Sequence, residues 1–167
     1  MKVNFISGDY KSAISEGEKI LANTGRVKDL DELYYILGLS YLKYGNYLRA
    51  SDIFEIILKE FKGSSFFDEA KIGLGDTYFL RGDYNQAQKY YNDLINNNPQ
   101  TKLRAPVYYR LGLCAAKLGD TQLTKEYSDK LKNDFPLSLE ARADKDLYFF
   151  LDFYYTVQVG SFSNSMN

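Results

Sequence analysis

The chain has no histidine, no tryptophan and a single cysteine, Cys114. Without histidine, imidazole acid–base chemistry and the commonest metal ligand are excluded. One cysteine rules out an internal disulfide and a cysteine-built zinc site. No run of about 18 apolar residues occurs, so no stretch reads as a membrane-spanning helix. The opening Met1-Lys2-Val3-Asn4-Phe5 also lacks the apolar core of a signal peptide. Positive charge is not in excess: 21 Lys and Arg stand against 22 Asp and Glu, a net charge of −1. Nucleic-acid binding rests on clustered Lys and Arg, so nucleic acid is not an expected partner. No glycine-rich phosphate loop follows a strand. The acidic pairs Asp31/Glu32 and Asp68/Glu69 fall in the first turns of helices, where they favour the dipole rather than flank a cleft. No catalytic residue, metal or cofactor is therefore expected.

What the chain does have is repetition. Gly8-Asp9-Tyr10-x-x-Ala13 returns as Gly45-Asn46-Tyr47-x-x-Ala50 and as Gly82-Asp83-Tyr84-x-x-Ala87. It returns again as Gly119-Asp120, with Thr124 in the alanine place. The steps 45−8, 82−45 and 119−82 are all 37, and Leu37-Gly38, Leu74-Gly75 and Leu111-Gly112 keep the same step. Apolar residues at three-and-four spacing between these punctuation marks read as helices. Second helices of each pair are expected from about 9, 46, 83 and 120, capped by Asp or Asn. First helices are expected from about 30, 65, 102 and 138, the last running unpaired from Leu139 to Asp152. Asp83 and Gln86 can form a reciprocal capping box. Gly38, Gly75 and Gly112 are expected to sit where paired helices cross closely, opposite Ala50, Ala87 and Thr124. Cys114, in the column of Ser40 and Thr77, reads as a small buried residue.

The pattern Leu-Gly-x-x-Tyr, then Gly-Asp-Tyr-x-x-Ala, then Tyr91 and Pro99, resembles the tetratricopeptide (TPR) repeat. The resemblance implies an all-α solenoid of antiparallel helix pairs over residues 1–152, with a protein or peptide partner bound in a groove lined by the first helices. It places Glu32, Tyr35, Lys43, Glu69, Asp76, Phe79, Tyr109, Arg110 and Lys117 on that groove, together with Leu39, Ile72 and Leu113. Tyr35, Phe79 and Tyr109 would be anchors and Arg110 a polar clamp, in keeping with hot-spot composition. The Lys/Asn carboxylate clamp of chaperone-binding repeats is replaced here by Tyr35/Leu39, Ile72/Asp76 and Tyr109/Leu113. With the Pro-x-Ser/Thr linkers, residues 8–150 also resemble envelope TPR proteins of Gram-negative bacteria. These include the periplasmic TPR partner of the Tol–Pal system and outer-membrane assembly lipoproteins. That implies the periplasm or cell envelope, with a signal sequence upstream of a first repeat that lacks most of its first helix. A cytoplasmic TPR adaptor stays open as the alternative. A homo-oligomer formed through the end faces around Ile14, Ile20 and Leu21 also stays open.

After Asp152 the period changes. Tyr155, Val157 and Val159 alternate with Thr156 and Gln158, which is strand patterning. The run Tyr155-Thr156-Val157-Gln158-Val159-Gly160-Ser161-Phe162-Ser163-Asn164 resembles the opening strand of the SPOR (sporulation-related) domain, a peptidoglycan-binding module. Residues 153–167 are thus expected to be a short orphan β segment, the start of a truncated SPOR-like domain, or else a disordered tail. Gln158 matches that family's glycan-facing strand glutamine. Peptidoglycan would be reached only through the missing downstream part of the module.

Overall fold

A computed structural model describes residues 1–23 and 29–143. The expected β segment, Gln158 and the stretch of the last helix beyond Ala143 lie outside the described residues. The elements in order are α1 (Lys2–Ile6), α2 (Tyr10–Ala22), α3 (Leu30–Tyr44), α4 (Tyr47–Glu60), α5 (Phe67–Leu80), α6 (Tyr84–Asn97), α7 (Arg104–Leu118), α8 (Thr121–Asp134) and α9 (Leu139–Arg142). Among the described residues all regular structure is helical.

Local chemistry sets the boundaries. Each long second helix opens on a short polar cap whose side-chain oxygen accepts from the backbone N–H three residues on. The pairs are Asp9 with Ser12, Asn46 with Arg49, Asp83 with Gln86 and Asp120 with Leu123, at 2.9–3.2 Å. Each satisfies one of the orphan donors of a first turn. In front of each cap stands a glycine with φ between +78° and +84° (Gly8, Gly45, Gly82, Gly119). Left-handed backbone of that kind closes the preceding helix, and only glycine adopts it without a Cβ penalty. Of the expected Asp83–Gln86 capping box the described residues show one half: Asp83 accepts from the Gln86 backbone N–H, and the Gln86 side chain interacts with Tyr90.

Helices pack as neighbours in sequence: α3 on α4, α5 on α6 and α7 on α8, with α4 on α5 and α6 on α7 joining one pair to the next. Each second helix presents one apolar stripe, and burying it needs the helix before and the helix after. This is why a repeat of this kind is stable only in a stack. The pitch is visible in side-chain contacts. Phe5 meets Tyr10 at 5.6 Å between ring centroids, and two pitches on Phe79 meets Tyr84 at 5.2 Å. Ser64 Oγ donates to Asp31 at 2.6 Å, and one pitch on Thr101 Oγ donates to Asp68 at 3.1 Å. Those two contacts tie each linker back to the first helix of the preceding pair.

The crossing glycines need a correction. A Cβ on Gly38 would lie 2.7 Å from the Phe54 ring, and one on Gly75 would lie 2.4 Å from the Tyr91 ring. The facing residue is therefore an aromatic one helical turn beyond the alanine, not Ala50 or Ala87. At Gly112 the nearest atom is Tyr127 Cβ at 3.4 Å, rather than Thr124. The helices approach closely so that a ring, not a methyl group, can lie across the glycine.

Candidate partner-binding face

The first helices do carry the expected residues, but the fold buries most of the expected anchors. Tyr35 is 2% exposed, Asp76 1%, Phe79 6%, Tyr109 4% and Arg110 2%, and Leu39, Ile72 and Leu113 are equally covered. Glu32, Lys43 and Glu69 are half-buried, and Lys117 is exposed. Expecting Tyr35, Phe79 and Tyr109 as surface anchors and Arg110 as a clamp therefore needs correcting in this structure.

Two physical reasons account for it. First, the 37-residue pitch exceeds the usual TPR pitch of about 34 residues, and the linker folds inward. Phe66, from the linker, stacks on Tyr35 with centroids 5.0 Å apart and planes 22° apart. Leu103, one pitch later, packs into the same apolar cluster as Ile72. The linker thus roofs over what a shorter repeat leaves open.

Second, the charges among the anchors neutralise one another. Arg110 on α7 donates through Nε to Asp76 Oδ1 at 2.7 Å and through Nη2 to Asp76 Oδ2 at 3.0 Å. Nη1 donates to the Pro106 carbonyl. Tyr91 on α6 donates its hydroxyl to Asp76 Oδ1 at 2.5 Å. A carboxylate on α5 is thereby held from two other helices, in the bidentate geometry that suits guanidinium. Burial raises the Tyr91 phenol well above its ordinary range, and the Asp76 charge adds to it. The corresponding positions one pitch earlier are Leu39, Phe54 and Gly73, so this polar cluster is an addition to an apolar column. No local signal in the sequence announces it, because Asp76 and Arg110 are 34 residues apart.

Cys114 adjoins that cluster. It is fully buried, and burial, with the Asp76 charge, pushes its thiol up to about 12. A thiolate is the reacting form, so the thiol is expected to be inert in the folded chain at pH 8. A thiol reagent such as DTNB should label native protein no faster than global unfolding allows and label denatured protein at once. Prompt native labelling would show that α7 opens locally.

An open cleft between successive linkers remains accessible. Lys62, Ser65, Phe67, Glu69, Gln100 and Lys102 line it, with Leu103 and Thr101 behind them. Asp68 at its edge is committed, accepting from Asn98 at 2.8 Å and from Thr101. Glu32 is held by Lys2 at 2.7 Å. Glu69 keeps a raised carboxyl value, chiefly because it is half-buried, with the Asp68 charge adding to the effect against a backbone hydrogen bond. A folded-state value above the unfolded one means Glu69 favours folding at low pH and weakens it as pH rises through that range. A cation delivered to the cleft would reverse that cost. Lys62 and Lys102 are contributions of the linkers, and Phe67 of the first turn of α5. Their only sequence signal is the three-residue excess of the pitch. Among the described residues no group of three or more His, Cys, Asp or Glu is placed to hold a metal ion.

Residues 40–147 match the sequence profile of the YfiO family, described as outer membrane lipoprotein. No curated protein matches the chain. Among solved structures it is similar to PilW, a widely conserved type IV pilus biogenesis factor. The TM-score is 0.66 at 21% identity, over 80% of this chain and 58% of that one. It is also similar to Bacillus thuringiensis PlcR, solved in complex with the peptide PapR7 and DNA. Here the TM-score is 0.69 at 19% identity, over 83% of this chain and 54% of that one. The chain spans somewhat over half the length of these structures, and at such identities the likeness shows the fold alone.

Proposed function

The chain belongs to the YfiO family of outer membrane lipoproteins, and from that premise we propose that it is a non-catalytic scaffold of the bacterial cell envelope. It binds an extended segment of a partner protein along the face formed by its first helices and their linkers. The observation that carries this reading is the cleft between linkers. It lies between linkers one pitch apart and carries charges of both signs on a stack of helices. Glu69 and Lys102 would set the polar contacts and Phe67 the apolar one, with Lys43 and Lys117 further along the same face. PlcR, a structural neighbour, was solved with a bound peptide, which supports peptide recognition by this architecture. The SPOR-like run after Asp152 supports a finer proposal, that a downstream module links the scaffold to peptidoglycan.

Panning a displayed peptide library on the full chain tests the scaffold reading. A selected peptide is expected to bind wild type and to lose at least about tenfold in affinity with the double charge reversal Glu69→Lys/Lys102→Glu, which is about 1.4 kcal/mol or more. Lys102 is exposed and Glu69 half-buried at the rim of the cleft, and helicity should stay unchanged. Equal affinity for the variant would move the site off this cleft, and failure to select any peptide would remove the scaffold reading. For the finer proposal, the chain carrying the proposed downstream module should be retained on glycan strands stripped of stem peptides. Its passage through unretained would end the peptidoglycan link.

A further inference from the structure

The third helix pair departs from the other two at several columns, and one of them faces a crossing glycine. Phe54 lies across Gly38 and, one pitch on (54 + 37 = 91), Tyr91 lies across Gly75. One pitch further (91 + 37 = 128) the residue is Ser128. No ring covers Gly112, and a cavity of about 50 Å³ remains between α7, α8 and α9. Gly112, Ser128 and Thr124 form its small-residue side, and Tyr109, Tyr127 and Leu131 its apolar walls. Glu140 also lines it. In the column of Phe66 and Leu103 (66 + 37 = 103, 103 + 37 = 140), the chain has placed a carboxyl group where the earlier linkers carry an apolar plug. Glu140 is 6% exposed, and its side chain has no hydrogen-bond partner among the described residues. Lys132 lines the same cavity and has an interaction of its own. A buried carboxyl group left so is costly unless something donates to it.

We propose that this cavity receives the side chain of a lysine from a partner polypeptide. The chemistry of the lining selects it. The walls are apolar and aromatic, suited to a (CH₂)₄ stem, while the end group needed at Glu140 is a donor, best a cation. The site lies at the α7–α8–α9 end of the stack, away from the cleft of the preceding section, and does not depend on that cleft.

Amide NMR of the full chain titrated with n-butylammonium and with the tripeptide Gly-Lys-Gly tests the proposal. Both probes are expected to shift the amides of Gly112, Leu131 and Ala141 and to saturate in the millimolar range, the affinity that so few atoms can supply. Glu140→Gln should weaken both at least fivefold. Ser128→Phe puts the missing ring back and should abolish binding without lowering Tm. Glu69→Lys/Lys102→Glu should leave the titration unchanged, so failure here and failure of the cleft are separable. Equal binding of n-butanol would reduce the site to an apolar dimple and overturn the proposal. Preferential binding of p-cresol would make the ligand an aromatic hydroxyl and overturn it too. Absence of shifts, or shifts that persist in Ser128→Phe, would do the same.

Discussion

Replacing Arg110 by methionine is expected to lower the unfolding free energy by about 3–5 kcal/mol. The guanidinium is 2% exposed and satisfies both oxygens of Asp76, itself 1% exposed. Its removal leaves a buried carboxylate with only the Tyr91 hydroxyl. Restoring hydration would require opening the α5–α6–α7 junction, which in a stack of nearest-neighbour contacts splits the array in two. The loss should therefore appear as a broadened or biphasic urea transition by circular dichroism, with the α7–α9 end melting first. The triple variant Asp76→Leu/Tyr91→Phe/Arg110→Met is expected to regain most of the loss. It recreates the apolar column that the molecule already uses one pitch earlier in Leu39 and Phe54, and buried ion pairs are often no better than well-packed apolar groups. If Arg110→Met costs less than about 1 kcal/mol, close to a single neutral hydrogen bond, the cluster is hydrated and its reading as a buried lock is wrong. The same experiment guards the functional work. A partner lost on mutating Tyr109 and Arg110 would report unfolding, because neither side chain is at the surface.

Two glycines in the same column of the repeat are expected to respond to alanine with opposite signs. In a helix interior alanine is favoured over glycine by about 1 kcal/mol. At Gly112 that gain should be realised almost in full, since the new Cβ meets only Tyr127 Cβ at 3.4 Å, an ordinary contact. At Gly75 the new Cβ would lie 2.4 Å from Tyr91 Cε1 and 2.9 Å from Cδ1 and Cζ. The ring cannot step aside, because its hydroxyl is bonded to Asp76 and it is 1% exposed. Overpacking of this kind typically costs 1–3 kcal/mol, and it outweighs the propensity gain. Gly75→Ala is thus expected to lower the urea midpoint and Gly112→Ala to raise it. Two shifts of the same sign would mean that the helix pairs adjust their separation freely, and the crossing contacts would not be what fixes the stack.

The helices and their pitch were legible in the chain because the signals that make them are short-range. Asp9, Asn46, Asp83 and Asp120 each cap from three residues away, and Gly8, Gly45, Gly82 and Gly119 each need only their own φ. A period of 37 counts such signals without reference to anything distant. Which first-helix residues face a partner was not legible in this way. Column equivalence places Tyr35, Ile72 and Tyr109 on one line, but it does not say that Phe66 will fold back over Tyr35. Nor does it say that a carboxylate and a guanidinium 34 residues apart will cancel inside the stack. Burial depends on what the linker and the next pair bring to a position. That is settled by packing across the stack, which no single repeat contains. The empty place at Ser128 lies between the two cases. The missing ring is plain in the column, but only the packed α7–α8–α9 corner turns it into a cavity with Glu140 inside.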